Sequence, residues 1–292
     1  MNTTLRSDNQ RGEKMIRIIS DTSTLYSIEE GKKIGVDITP LSVTVKGKSY
    51  VEFEEITSRE FLDLLKDGST PISSQPAVGS KIELYEKYSK DTIIDLAMAD
   101  GLSGTYQSAC SAREGIAHSD RIHVVNTRTL CGPHRYLLQK TIDLVKNGKD
   151  INDILNEVNI SMNHCKSYLI PKDFDFLKRG GRISKVTASI GGLLKIVPIM
   201  TQTPDGKVLE KLDIKRTFKG AIEAIIQSLR KMEISNKYKL FVSHADNLAD
   251  AKFAVSILEK VFADIEIELL DLSPAFITQG GPQCVAIQTI LK

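Results

Sequence analysis

The segment Thr92–Ile116, TIIDLAMADGLSGTYQSACSAREGI, decides the fold class of this chain. It begins with a short apolar strand, TIIDLA, and passes through a polar loop into a predicted helix over Gly104–Ile116. The helix carries the small residues Ser108, Ala109 and Ala112, which allow close packing against a neighbouring element. A strand followed directly by a helix is the repeating unit of α/β proteins.

The same alternation extends from this segment in both directions, up to about residue 160. Towards the N-terminus, a buried strand is predicted for MIRIISDTS. Two strands around a Lys46-Gly47-Lys48 turn are predicted for VDITPLSVTVKGKSYV, and a helix is predicted to start at the capping box Thr57-Ser-Arg-Glu60. Towards the C-terminus, RIHVVN predicts a strand, followed by helices that open at Pro133 and after Asp150. We therefore expect an N-terminal α/β/α domain with a mainly parallel sheet over residues 15–160.

Beyond residue 160 the order of elements changes. SYLIP predicts a strand, and DFDFLKRGGRI predicts a short helix that ends at a double glycine. A further helix is predicted over Ser184–Lys195. The turn Thr203-Pro-Asp-Gly206 separates IVPIMT from KVLEKLD, so these two strands should be antiparallel. Three later strands alternate with helices over Arg216–Met232 and Asp246–Phe262. The expectation is a second α/β domain, residues 161–292, with a mixed or antiparallel sheet.

Composition narrows the class of function. The 292 residues are 41% hydrophobic and 26% charged, with a formal net charge of +2, as in a globular and soluble protein. A nearly neutral chain gives no reason to expect nucleic acid as a partner. The longest apolar runs are far shorter than the roughly 20 residues that span a bilayer, so no integral membrane segment is expected.

The first fourteen residues and the cysteines point to a cytoplasmic protein. Residues 1–14 are polar and lack the apolar middle of a signal peptide, which predicts a disordered lead. The cysteines are scattered without a CxxC pair, and neither a zinc site nor a disulfide framework follows. Reduced thiols in or near the core are the simplest interpretation for all four: Cys110, Cys131, Cys165 and Cys284.

The first candidate site is the loop that opens the helix after TIIDLA. Ser103 can cap that helix, while Gly104 and Thr105 offer free backbone N–H groups at the positive end of its dipole. Such a helix start binds anions. An ordinary serine cap without a ligand explains the same residues.

Two further segments combine glycines, hydroxyls and a cation. In Lys178-Arg179-Gly180-Gly181-Arg182, the glycines permit a sharp turn and Arg182 offers a planar fork of donors to a carboxylate or phosphate. In Ser73-Ser74-Gln75-Pro76, predicted as a loop between two helices, the hydroxyls can donate to a ligand oxygen. A helix stop with a solvated arginine and a local serine turn are the alternatives.

Enzymatic alternatives have weaker support from the residues. Ser103 as the nucleophile of a hydrolase or transferase acting on a small anionic substrate needs a general base that the pattern does not identify. The pair His244 and Asp246 is explained by an aspartate helix cap beside a loop histidine. GxGxxG and GxxxxGK[ST] motifs are both absent, which disfavours a dinucleotide or P-loop nucleotide cofactor.

The motifs, taken in order, resemble the DegV family of fatty-acid-binding proteins. The resemblance extends from about residue 16 to residue 290. It includes IISDTS, PLSV with KGKSYVE, SSQPAVG, GLSGTYQSA, VVNT, FLKRGGRIS, LLKIVPIM with DGKV, RTFKGAI, VSHADN and ITQGGPQ. Each motif is short, but the shared order and spacing make the resemblance specific.

The resemblance implies a two-domain protein without catalytic activity or cofactor that holds one long-chain fatty acid, with the chain in an apolar tunnel and the carboxylate between the domains. In family members of known role, a separate ATP-dependent catalytic subunit then makes an acyl phosphate. The resemblance therefore implies a fatty acid kinase as partner, with a lipid-sensing regulatory module as a further alternative. The fatty-acid-binding residues that it implies are Ser73, Ser103, Gly104, Thr105, Gly181, Arg182, Gln279 and Gly280.

The chain departs from the family pattern at its C-terminal loop. The family commonly has HxGPG there, with the histidine close to the lipid head group, whereas this chain has Gln279-Gly280-Gly281-Pro282-Gln283. Glutamine donates a hydrogen bond but cannot become a cation. Ala99-Asp100 stands where the family usually has two serines, and Asn126 stands where it usually has aspartate.

Overall fold

The computed structural model describes residues 15–184 and 196–292. The predicted disordered lead and most of the predicted helix over Ser184–Lys195 lie outside the described residues. None of the helices in the described ranges is long and apolar enough to cross a membrane.

The N-terminal half is built on a parallel sheet of strand order β2-β1-β6-β7. Its strands are β1 (Ile16–Asp21), β2 (Asp37–Thr39), β6 (Thr92–Ala97) and β7 (Ile122–Asn126). Ile18 pairs with Ile94 at its centre. The mainly parallel arrangement predicted from strand–helix alternation is thus confirmed. The helices of this half are α1 (Ile28–Ile34), α2 (Ser58–Leu65), α3 (Val78–Lys87), α4 (Thr105–Glu114), α5 (Cys131–Lys146) and α6 (Ile151–Asn163).

A small antiparallel sheet of order β4-β3-β5 lies beside it and contains the predicted hairpin. Its strands are β3 (Ser42–Val45), β4 (Lys48–Val51) and β5 (Ile72–Ser74). The prediction that Ser73 lies in a loop was wrong, since Ser73 pairs with Val43 across β5 and β3. β5 has only three residues and an exposed–half-buried–exposed pattern, too short for alternation to be recognised.

The C-terminal half has a mixed six-stranded sheet of order β10-β9-β8-β13-β11-β12, as predicted. β9 and β10 are antiparallel on either side of the predicted turn, while β11 and β12 are parallel. The strands are β8 (Cys165–Ile170), β9 (Val197–Gln202), β10 (Leu209–Lys215), β11 (Tyr238–His244), β12 (Glu266–Asp271) and β13 (Val285–Leu291). The helices are α7 (Phe174–Arg179), α8 (Phe218–Lys231), α9 (Leu248–Val261) and α10 (Pro274–Gly280).

The starts of three helices show how well local sequence signals predicted helix boundaries. Thr57 forms the predicted capping box, with reciprocal bonds to Glu60. Helix α5 begins at Cys131, two residues before the predicted Pro133. Asn247, not Asp246, caps α9, because the Asn247 side chain accepts the N–H of Asp250.

Helix α5 joins the two large sheets through one apolar core. It contacts β1 on one side and both β11 and β13 on the other. Leu137 and Leu138 are fully buried there, in a cluster that includes Phe241 and Ile290. A Cβ on Gly132 would lie 2.2 Å from Cγ of Phe241, so only glycine allows this ring to lie against the first turn of α5. The domain boundary near residue 160 stays a prediction.

Candidate functional site

A small polar pocket lies where α10, the start of α4, strand β5 and the turn after α7 meet. Its volume is about 40 Å³. Five of the eight predicted site residues line it: Ser73, Ser103, Gly104, Arg182 and Gln279. These five residues come from four separate segments, so the fold brings together residues that the sequence indicated only one segment at a time.

Ser73 and Gln279 form one wall of the pocket. Gln279 Nε2 donates to Ser73 Oγ at 3.0 Å. Gln279 Oε1 is buried and has no hydrogen-bond partner among the described residues. Gln279 lies in the last turn of α10, whereas the family resemblance implied a loop. Nε2 carries a second hydrogen that it can donate to a ligand oxygen, whereas Oε1 can only accept.

The α4 start forms a second wall. Ser103 Oγ is 2.8 Å from Thr105 Oγ1 and accepts the Thr105 N–H at 3.3 Å. The N-cap residue is Gly104, so the prediction that Ser103 itself caps the helix was wrong by one position. Thr105 is fully buried and supports Ser103 rather than lining the pocket.

Arg182 contributes a half-buried cation. Its Nη1 donates to Gly180 O at 2.8 Å and its Nε to Leu102 O at 3.3 Å. Within the described ranges its Nη2 has no hydrogen-bond partner. Gly181 has a φ of +74°, a left-handed conformation that favours glycine and turns the chain so that Arg182 faces the pocket. Gly181 itself lines no part of it.

An apolar cavity of about 100 Å³ adjoins the polar pocket. The two share Met98, Leu102, Arg182, Phe276 and Gln279, so the apolar space ends at the guanidinium and the amide. Gly280 lines the apolar cavity, where its Cα lies against Cys284: a Cβ there would be 2.7 Å from Sγ. The remaining lining residues are Leu130, Cys131, Ser167, Tyr168, Leu169, Met200, Gln202, Leu209, Leu272, Cys284, Ala286 and Gln288.

The cavity is smaller than the roughly 300–1,000 Å³ of typical ligand pockets. A long ligand therefore requires side chains of the wall to move. Met98 and Met200 lie in the wall, and the unbranched methionine side chain adapts readily to different shapes.

Two thiols belong to this apolar wall. Cys131 and Cys284 are buried and Cys165 packs against a core cluster, which agrees with the predicted positions in or near the core, while Cys110 is partly exposed. Burial raises the pKa of the Cys284 thiol to about 12 and raises that of Cys131 well above its usual value. Both are therefore neutral thiols, unsuited to act as nucleophiles.

A buried carboxyl group holds α10 in place. Glu52 is fully buried, accepts the N–H of Ala275 at 3.0 Å and accepts a hydrogen bond from the Thr22 hydroxyl. Burial raises its pKa to about 7. Nearby, Asp21 accepts the N–H of Met98 at 3.1 Å. Sequence reasoning missed both contacts, because nothing local links residue 52 to residue 275.

The residues around Ser103 do not favour a nucleophilic role. Its hydroxyl is bonded to Thr105, and the described residues place no histidine or carboxylate in hydrogen-bond contact with it. His244 lies elsewhere, next to Asp271 and Asn247. The serine-based hydrolase or transferase is therefore not favoured.

Comparison with known proteins supports the two-sheet architecture. A DegV domain-containing protein of Staphylococcus aureus is 32% identical over 94% of this chain and 98% of its own length. The crystal structure of a fatty-acid-binding DegV from Bacillus subtilis is 26% identical, with a TM-score of 0.83 over 96% of this chain and 100% of that chain. A DegV lipid-binding protein from Thermotoga maritima is 27% identical, with a TM-score of 0.82 over 95% and 98% of the two chains.

The family model agrees with these relatives. A model described as an uncharacterised protein of the DegV family matches residues 15–292. The match starts at the first described strand and includes every segment that lines the polar pocket and the apolar cavity. This chain belongs to the DegV family.

Proposed function

We propose that this protein binds one long-chain fatty acid, with the carboxylate in the polar pocket and the hydrocarbon chain in the apolar cavity. The observation that best supports this proposal is the position of Arg182, which lines both the polar pocket and the apolar cavity. Among the described residues, its Nη2 has no hydrogen-bond partner and can bind a carboxylate. Relatives that share this fold are described as binding fatty acids or lipids.

The head group and the tail have separate roles in this proposal. Arg182, Ser73, Ser103 and Gln279 supply hydrogen bonds to the carboxylate. The N–H of Thr105, expected to be free, already donates to Ser103 Oγ. The tail supplies affinity through burial, at about 0.8 kcal/mol per methylene group. Orientation then depends on the head group, and retention depends on chain length.

We also propose that the protein is cytoplasmic and catalyses no reaction itself. It keeps a poorly soluble acid in solution and presents the carboxylate to an ATP-dependent fatty acid kinase. The resemblance to family members with that role supports this step. The test is to capture partners with the lipid-loaded protein and measure ATP-dependent formation of acyl phosphate by the captured fraction. No acyl phosphate from a fraction that contains a kinase contradicts the kinase role.

Fatty acid binding is tested by mass spectrometry of lipid released from denatured protein and by displacement titration. Arg182→Ala should weaken carboxylate binding by about tenfold to a hundredfold, since a hydrogen bond to a charged group contributes about 1.5–3 kcal/mol. Lys178→Ala removes an exposed cation from the end of α7, four residues before Arg182, and serves as the matched control. Protein that stays empty after incubation with acids of several chain lengths refutes the proposal.

A further inference from the structure

The floor of the apolar cavity carries a row of three polar side chains. Gln288 on β13 is directly opposite Ser167 on β8. Leu169 on β8 pairs with Met200 on β9, so Ser167 is opposite Gln202. All three line the cavity. The neighbouring row on the same face is apolar, with Met200, Leu169 and Ala286. We call Gln202, Ser167 and Gln288 the polar row.

The orientation of the Gln288 amide follows from its contacts. Nε2 lies 3.1 Å from the backbone carbonyl oxygen of Leu130, which can only accept, so this atom is the nitrogen donor. The same nitrogen donates to Ser167 Oγ at 2.9 Å. Gln288 Oε1 is left buried with no partner among the described residues, although Gln288 is only 1% exposed. An unpaired buried acceptor is uncommon and unfavourable.

Ser167 complements this acceptor. Its oxygen accepts from Gln288 Nε2, which leaves the hydroxyl hydrogen available to a further group. The polar row therefore offers a buried acceptor and an adjacent donor at one position of an otherwise apolar wall. A hydroxyl group, which both donates and accepts, matches this pair.

The polar row is remote from the head-group pocket. Ile183, next to Arg182, bridges to Leu209 of β10, and Leu209 pairs with Gln202 of β9. Four strand spacings thus separate the backbone next to Arg182 from Gln288 on β13. At about 4.8 Å each, they amount to roughly 19 Å along the sheet. Gln288 lines the apolar cavity but not the polar pocket, so a group that meets Gln288 lies along the hydrocarbon chain rather than at the carboxyl group.

We propose that the polar row selects an acyl chain that carries a hydroxyl group far from its carboxyl group. The ligand hydroxyl donates to Gln288 Oε1 and accepts from the Ser167 hydroxyl. This inference rests on the proposed fatty acid binding and defines the class of fatty acid, a hydroxylated one. Unsubstituted chains still enter the cavity, but they leave the buried acceptor unpaired.

The test compares ligands of equal chain length by displacement titration against one fluorescent fatty acid. Octadecanoic acid is the reference, and its 10-hydroxy and 12-hydroxy derivatives carry the distal donor. The 12-oxo derivative has an oxygen at the same place without a hydrogen to donate, and the 3-hydroxy derivative has its donor near the head group. The 10-hydroxy or the 12-hydroxy acid should bind about three- to tenfold more tightly than the octadecanoic, 12-oxo and 3-hydroxy acids, because it alone forms the additional hydrogen bond.

The variant Gln288→Met keeps the side-chain length and removes the acceptor. It should abolish the preference for the hydroxy acid while octadecanoic acid still binds, with folding checked by thermal unfolding. If this variant does not fold, Ser167→Ala removes the donor, together with the acceptor of one Gln288 Nε2 hydrogen bond, and should reduce the preference while Gln288 Oε1 is kept. Equal or tighter binding of octadecanoic or 12-oxo acid by the unmodified protein overturns the inference and leaves fatty acid binding intact. Failure of every acid to bind refutes the proposed function itself.

Discussion

Glu52 gives the sharpest prediction, because its carboxyl group is buried between Thr22 and the first turn of α10. Its pKa is raised from 4.5 to about 7, chiefly by burial. The folded protein therefore holds this proton more tightly than the unfolded chain does. Between these two values the unfolded chain releases the proton first, so the contribution of Glu52 to stability falls as pH rises.

The magnitude follows from the size of the pKa change. One unit corresponds to about 1.4 kcal/mol, so a change from 4.5 to about 7 lowers the free energy of unfolding by about 3 kcal/mol. The loss begins above the unfolded pKa and is complete slightly above the folded one. For a chain of this size it corresponds to about 6 °C in Tm.

Glu52→Gln removes the ionisation and preserves most of the contacts. The substituted amide can still accept the Ala275 N–H and donate to Thr22 Oγ1, but the Thr22 hydroxyl hydrogen then loses its acceptor. That loss costs about 1 kcal/mol at every pH. The discriminating observation is therefore the pH dependence of stability rather than its value at one pH.

Thermal and urea unfolding between pH 5 and pH 8 at constant ionic strength measure this dependence. His134, whose pKa is lowered by burial, changes stability in the opposite sense as pH rises, but it is common to both proteins and cancels in their difference. Glu54→Gln, at an exposed neighbour, is the control and should follow the unmodified protein. If Glu52→Gln and the unmodified protein show parallel pH profiles, the reasoning about Glu52 is wrong.

Three other substitutions test the packing and the site. Gly132→Ala places a Cβ 2.2 Å from the buried Phe241 ring and should cost about 1–3 kcal/mol in urea unfolding; an unchanged midpoint contradicts the close approach. In Gly181→Ala the new Cβ contacts no other atom, but alanine is forced to a φ of +74°. The free energy of unfolding should therefore fall by about 1–2 kcal/mol, and an unchanged value means that the turn relaxes. Gln279→His places an ionisable ring beside Ser73, so fatty acid affinity should rise about tenfold between pH 8 and pH 5.5; equal affinity at both values excludes a head-group contact there.

Elements with a clear period or cap were predictable from the sequence. β6 is a mainly apolar run and was predicted with its ends at Thr92 and Ala97, and α2 has a capping box that placed its start at Thr57. Helix α10 was not predicted, because its sequence shows no clear helical period. Nearly all its residues, from Pro274 to Gly280, are buried, so no polar face marks a helical period.

The site shows a different limit of sequence reasoning. Residue type alone nominated Arg182 and Ser103 as partners for an anion. The contact between Gln279 and Ser73 joins residues 206 positions apart, and that between Ala275 and Glu52 joins residues 223 positions apart. Such pairs depend on how several elements pack. The polar row was equally inaccessible, because strand register decides that Gln288 faces Ser167.

Helix α5 has a consequence for how the protein unfolds. Its side chains Leu137 and Leu138 share one buried cluster with β1 and with Phe241 and Ile290 of the other large sheet. The two halves therefore cannot melt independently, since exposing either one removes the packing partner of the other. Calorimetry should record a single cooperative transition rather than two. A lipid that binds beside Cys131, the first residue of α5, then raises the melting temperature of the whole chain.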